Sequence, residues 1–237
     1  DARPVMGFPS QSDLETRANL KYHRKGTLQE TLALLPYPET FWFRGEQAQA
    51  RAYQLDCLKE ADRALAAGRR RMLFEMATGT GKTLTIAMLM KRWFQAAAIS
   101  RVLFLYGGKR SLEGQIVVGT LDTIAAQLGE GGFGHAYFDL VVTDECHRSI
   151  YNSHRATLGH FDAVHIGLTA TPSPGELRWV NDKERQLVKN TYMFFDCWDN
   201  AAKQGKPTYA YTIQQGIKDR CLVPYKIYVA DTQLSLE

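Results

Sequence analysis

Cysteine is scarce and scattered. Cys57, Cys146, Cys197 and Cys221 form no CxxC pair, which argues against a structural zinc site and a disulfide framework and leaves reduced thiols as the plain expectation. Long hydrophobic runs are missing too: no window approaches the roughly 18 to 20 uninterrupted apolar residues that a membrane-spanning helix needs. The opening DARPVMGFPSQ lacks the basic-then-apolar order of a signal peptide, so a cytoplasmic protein without a membrane partner is expected. Nor is there a strong charge of either sign. Lys and Arg number 29 against 25 for Asp and Glu, a net charge of +4 that permits a nucleic-acid partner without arguing for one. Repeats and low-complexity tracts are also absent. What remains is 237 residues, 45% apolar and 23% charged, which excludes a disordered or collagen-like chain and suffices for one sizeable core.

The first forty residues are polar and turn-rich, with Pro4, Pro9, Gly26, Pro36 and Pro38 interrupting any long periodicity, and residues 1–50 are expected to be a lead-in. From Arg51 to Leu65 the run RAYQLDCLKEADRAL places Tyr53, Leu55, Leu58, Ala61 and Leu65 at helical spacings. Next come MLFEM (72–76), a glycine-rich turn, and TLTIAMLMKRWFQAAA, apolar enough for a helix buried on most sides. Short strand-like runs follow at RVLFLY (101–106), IVVGT (116–120), FDLVV (138–142) and AVHIGLT (163–169), with LDTIAAQL as one helix among the intervening stretches. Continuous apolar strands suit a parallel sheet covered on both faces, so the expected fold class is α/β, a doubly wound and mostly parallel sheet with ligands at the strands' carboxyl ends. Ser173 to Gly205 turns polar and is expected to be a solvated insertion.

ATGTGKT, Ala77 to Thr83, ends a predicted strand and opens a predicted helix. Gly79 and Gly81 let the backbone curl so that successive N–H groups face one concavity, and the helix N-terminus adds its positive dipole end. A polyphosphate fits there: Thr78, Gly79, Thr80 and Gly81 would cradle it, Lys82 would reach its β- and γ-phosphates, and the Thr83 hydroxyl would help to hold Mg²⁺. The strict motif wants glycine where this chain has Met76. A glycine-rich turn with a surface lysine is the competing reading, disfavoured by the position between strand and helix. FDLVVTDECH (138–147) puts two carboxylates at the end of a buried strand, where charge without a cation is costly. Asp144 is the expected Mg²⁺ ligand, and Glu145 the acceptor of a proton from the attacking water. Cys146 is read as a small filler.

ATGTGKT, DECH and LTATP (168–172), in that order, resemble the first motor lobe of superfamily 2 helicases and translocases, which is RecA-like. The longer strings RAYQ, GTLDTI, TDECHRSIY, FDAVHIGLTATP and IQQGIKDRCLVPY look most like the motor part of the R (HsdR-like) subunit of type I restriction-modification enzymes, over about 51–225. The resemblance implies an ATPase that uses Mg²⁺-ATP to move along double-stranded DNA, in company with modification and specificity subunits. It implies adenine recognition by Gln54, with Arg51 nearby, since a glutamine amide can donate to and accept from adenine at once. It implies that His147, Thr169 and Thr171 link the nucleotide to the nucleic-acid path, and that Thr120 meets a nucleic-acid backbone, although a plain helix N-cap would also explain Thr120. Other readings are a different superfamily 2 helicase on DNA or RNA, and a nucleotide-controlled binding or scaffold protein.

Against that family the interval from Lys82 to Asp144 is short, and residues are expected to be missing between Tyr106 and Gly107. The lobe is expected over 51–224, with 225–237 opening the connection to a second lobe whose phosphate-stabilising arginines this chain lacks. Alone, the chain is expected to hydrolyse ATP poorly.

Overall fold

The computed structural model describes residues 26–43, 45–107, 111–128, 132–148, 152–173 and 190–224, with Gln11, Leu14, Glu15 and Ala18. Six parallel strands form the central sheet: β3 (Arg71–Met76), β4 (Val102–Leu105), β5 (Ile116–Gly119), β6 (Leu140–Thr143), β7 (Val164–Thr169) and β10 (Tyr209–Tyr211), in the spatial order β10-β3-β7-β6-β4-β5. Every residue of β4, β6 and β7 is buried, as continuous apolar runs in a doubly covered sheet require. The α/β, RecA-like expectation therefore holds, and five of the six strands lie on the predicted runs.

Two cores flank the sheet. On one side α2 (Ala52–Ala66) and α3 (Lys82–Gln95) pack Leu58, Ala61, Ile86, Leu89 and Trp93 against Met72, Phe74, Val142 and Leu168. On the other, α4 (Leu121–Ala125), α5 (Asn152–His160) and α6 (Thr191–Phe194) enclose Leu73, Leu103, Val141, Phe138 and Phe195. Alternate residues of β3 thus serve opposite cores, which is the strand's period of two. Across the sheet edge, α7 (Ile213–Lys218) follows β10 directly.

Two sequence expectations are corrected. The lead-in is more than a linker, because α1 (Leu28–Leu34) is a helix with a Thr27/Glu30 capping box, and β1 (Thr40–Phe43) pairs antiparallel with β2 (Glu46–Gln49). Leu32 reaches the lobe's core, and Arg92 of α3 donates to the carbonyl oxygens of Leu32, Leu35 and Pro36. Nor is 173–205 solvated throughout. Ser173 and Thr191 exchange two hydrogen bonds, 2.8 and 3.0 Å, which join the described residues on either side of 174–189; those lie outside the described residues. Beyond that point Thr191, Phe194, Phe195 and Cys197 are buried. The ring of Phe195 fills the space above Gly167 of β7: a Cβ at Gly167 would meet its Cζ at 2.4 Å and Cys146 Sγ at 2.9 Å. A small two-stranded ribbon, β8 (Trp198–Asp199) with β9 (Gln204–Gly205), closes that segment.

His165, in β7, gives the fold a dependence on acidity. It is buried and hydrogen-bonded through Nε2 to the Phe161 carbonyl, and burial lowers its pKa to about 4, with Arg71 and Arg70 adding to the effect. An unfolded chain takes up this proton near pH 6.5, so stability falls as pH drops from there towards 4, by about 3 kcal/mol in all. Urea midpoints of the parent and of His165→Gln, compared at pH 7 and pH 4.5, should show the smaller loss in the variant.

Candidate nucleotide site

The site lies at the carboxyl ends of three adjacent strands. β7 stands between β3, which leads into the glycine-rich loop, and β6, which leads into the acidic pair. Met76, where the strict motif has glycine, is the last residue of β3 and wholly buried, so the loop proper is 77–81. Gly79 and Gly81 have φ of +83° and +78°, in the left-handed region that favours glycine, and Gly81 is the N-cap of α3. The surroundings add a second demand for glycine. A Cβ on Gly81 would stand 3.1 Å from Gln54 Nε2, and one on Gly79 would stand 3.3 Å from Leu222 Cδ2.

Lys82, Asp144 and Glu145 come together in the structure. The Asp144 N–H donates to the Leu105 carbonyl at 3.0 Å, carrying the β6–β4 ladder one residue past the strand, and Asp144 Oδ1 then accepts the Glu145 N–H at 3.0 Å. Glu145 sits at φ +47°, a strained conformation for a non-glycine residue and one that turns its carboxylate back towards the loop. Its Oε1 is 3.7 Å from Lys82 Nζ and its Oε2 is 3.5 Å from His147 Nδ1. The Lys82 side chain is 9% exposed and that of Glu145 46%, so the lysine is a partly desolvated cation with one acidic face open to water. Burial pushes the Asp144 carboxyl above its ordinary value; the hydrogen bond from the Glu145 N–H opposes that, the Glu145 carboxylate adds to it, and Lys82 pulls it back. That environment favours a cation beside Asp144.

His147 Nδ1 is hydrogen-bonded to Thr169 Oγ1 at 2.9 Å, and Thr169 Oγ1 also accepts the Thr171 N–H at 3.0 Å. The ends of β6 and β7 are thus pinned together through three of the predicted residues. Thr169 is completely buried and Thr171 exposed. Thr120 is the N-cap of α4, its Oγ1 accepting the Thr123 N–H at 3.2 Å.

Three predicted contacts look different in place. Thr80 is 1% exposed and its hydroxyl donates to the Ala77 carbonyl at 2.6 Å, so this side chain braces the loop from within. Gln54 is 3% exposed, its Oε1 accepts the Arg51 N–H at 3.0 Å and its amide nitrogen rests against Gly81. Arg51 Nη1 donates to the Tyr53 hydroxyl at 3.1 Å. Thr78, Gly79 and Thr83 are exposed. Sequence reasoning missed Tyr53 and Leu222, which touch the loop from two sides. The string RAYQ held the first of these, but a tyrosine on an apolar helix face carries no separate signal.

A magnesium ion fits this donor set. It is held by one or two carboxylates together with substrate phosphates rather than by an all-protein cage. Among the described residues no three His, Cys, Asp or Glu side chains converge as a metal cluster, whereas Asp144 and Thr83 present the oxygens such sharing needs. No helix among the described residues is long and apolar enough to cross a membrane.

The family model described as "Type III restriction enzyme, res subunit" matches residues 47–113 and 106–174. Among curated proteins, the chain is 28% identical to the type I restriction enzyme EcoAI endonuclease subunit of Escherichia coli, covering 97% of this chain and 29% of that protein. It is 26% identical to the EcoKI endonuclease subunit of Escherichia coli strain K12, covering 88% of this chain and 21% of that protein. Among solved structures, it matches the fragment of a putative HsdR subunit of a type I restriction enzyme from Vibrio vulnificus YJ016 with a TM-score of 0.56 and 28% identity, over 90% of this chain and 38% of that one. The chain thus spans less than two-fifths of each of these relatives. With the family model covering more than half of its length and the phosphate loop, acidic pair and TAT segment all inside that match, the chain belongs to the type III restriction enzyme res-subunit family, as an HsdR-like lobe of the superfamily 2 kind.

Proposed function

We propose that this lobe binds and hydrolyses ATP to drive movement along double-stranded DNA, as the first motor lobe of a type I restriction enzyme R subunit that works with modification and specificity subunits. The observation that carries the proposal is the convergence of Lys82, Asp144 and Glu145 with the His147–Thr169 link at the ends of three adjacent strands. Lys82 is poised to leave Glu145 for the β- and γ-phosphates of ATP. Glu145, freed of that partner, accepts a proton from water at its carboxylate oxygen. Thr83 and Asp144 would hold Mg²⁺, which supplies charge neutralisation at the phosphates when bound. Gln54 and Arg51 lie on the side where the adenine is read. His147, Thr169 and Thr171 carry a change at Glu145 to the end of β7 and on to the nucleic-acid path, and Thr120 meets the DNA backbone.

The connection between β4 and β5 supports a related proposal, that this chain lacks residues near Tyr106–Gly107 which its relatives carry. The two strands are parallel neighbours, yet only residues 106–115 join them. A parallel crossover ordinarily needs a dozen residues or more. The two family matches overlap at 106–113, the same place.

ATP turnover of the full-length protein, compared with duplex DNA, single-stranded DNA and RNA, tests the function. Stimulation of about tenfold or more by duplex DNA, without strand separation, is the expected result. Stimulation by single strands or RNA alone would assign the lobe to another superfamily 2 helicase.

A further inference from the structure

Tyr53 has no part in the reading above, yet it is tied to the phosphate loop more closely than any other side chain of α2. Its buried hydroxyl donates to the Thr80 carbonyl at 2.7 Å. Arg51 Nη1 donates to the same hydroxyl at 3.1 Å, and because a guanidinium can only donate, the tyrosine proton is left for Thr80. The ring stacks on that of Tyr211, centroids 3.9 Å apart and planes 12° from parallel. The Tyr53 carbonyl accepts the Tyr209 hydroxyl at 2.7 Å. Tyr211 is fixed in its turn: its hydroxyl donates to Asp219 Oδ2 at 2.9 Å, and its carbonyl accepts the Ala77 N–H at 3.0 Å.

The Thr80–Gly81 peptide is trans, as all described peptides are. In a planar trans peptide the C=O and the following N–H point in opposite directions. A Thr80 carbonyl held towards Tyr53 therefore turns the Gly81 N–H away from α2, to the side that the nucleotide-site reading gives to phosphate. Burial raises the Tyr53 pKa, so the hydroxyl keeps its donor proton.

We propose that Tyr53 is a positioning residue for phosphate binding, holding the Thr80 carbonyl so that the Gly81 N–H is already aimed before nucleotide arrives, with Tyr211 keeping the Tyr53 ring in place. This rests on the nucleotide-site reading and adds to it a pre-set loop, shaped by the first helix of the lobe and its edge strand. Binding is favoured because less of the loop has to be ordered by the ligand.

The test measures dissociation constants for Mg-ATP and for adenosine, by competition with a fluorescent ATP analogue, in the full chain and its variants. Tyr53→Phe keeps the stack and loses only the hydrogen bond. It should weaken Mg-ATP about five- to tenfold, the effect of one hydrogen bond, while adenosine stays within about twofold. Tyr211→Ala, which removes the stack, should behave like Tyr53→Phe. Unchanged Mg-ATP affinity in Tyr53→Phe, or equal weakening of ATP and adenosine, would overturn the proposal. Lys82→Ala separates the two levels. If it loses Mg-ATP while Tyr53→Phe binds normally, only the positioning role falls; if it binds Mg-ATP like the parent, the nucleotide reading falls and the positioning role with it.

Discussion

Glu145→Gln in the full-length protein should lower ATP turnover about a hundred- to ten-thousandfold while leaving Mg-ATP affinity within a few-fold of the parent. The variant keeps the shape of the side chain and removes only its capacity to take a proton. In the parent, Glu145 is the carboxylate within 4 Å of both Lys82 and His147, held by a backbone turn at φ +47°. That geometry sets the carboxylate at the edge of the loop, where a water beside the terminal phosphate would lie. Loss of the charge releases Lys82 from its partner without removing a phosphate contact, so affinity should move little and turnover should move greatly. Unchanged turnover would remove Glu145 from the chemistry. A parent that binds Mg-ATP and never turns it over would favour the nucleotide-controlled scaffold.

Arg92→Leu should destabilise the lobe by about 3 to 5 kcal/mol, visible as a lower urea midpoint. Arg92 is 2% exposed, and its Nε donates to Asp62 Oδ2 at 2.7 Å. Asp62 is itself 5% exposed and also accepts from Trp93 Nε1 at 2.8 Å and from the Tyr37 hydroxyl at 3.0 Å. Removing the arginine leaves a carboxylate in the interior with neutral donors only, and frees three carbonyls of the lead-in at the same stroke. The guanidinium also lies 4.0 Å over the Tyr37 ring, a contact that leucine does not replace. Arg92→Leu combined with Asp62→Leu should cost less than the two single changes added together, since no lone charge is then buried. If the single change costs under about 1 kcal/mol, the cluster is not what fastens the lead-in.

The fold was legible wherever one residue pattern had one physical solution. Apolar runs such as LVVT and VHIGLT fit only a strand covered on both faces, and GTGKT between strand and helix fits a phosphate loop. The acidic pair followed from the same logic, as charges at the end of a buried strand. The lead-in was obscured because proline and glycine mark turns without saying that the short pieces between them pack. What fastens those pieces is Arg92, a charged residue on an apolar helix, which looks in sequence like a solvated position. β10 is three residues long and begins two residues after Pro207, so no periodicity could reveal it, although it borders the phosphate-loop strand. Gln54 and Thr80 stand out in the sequence by motif. Their hydrogen bonds are local, each to a backbone group three residues back; what the motif does not carry is that both side chains are buried.

The notch above Gly167 carries a consequence for how such sequences can change. A side chain there meets Phe195 and the thiol of Cys146 at once, and Cys146 follows directly on the acidic pair. A close-packed interior has no slack to absorb even one methyl at that spot. Positions 146, 167 and 195 are therefore free to vary only in concert: a relative with alanine or larger at the middle position needs a smaller group at 195 and room at 146 as well. Part of the restraint on the acidic motif is thus written in a segment beyond residue 174, which the family match does not reach.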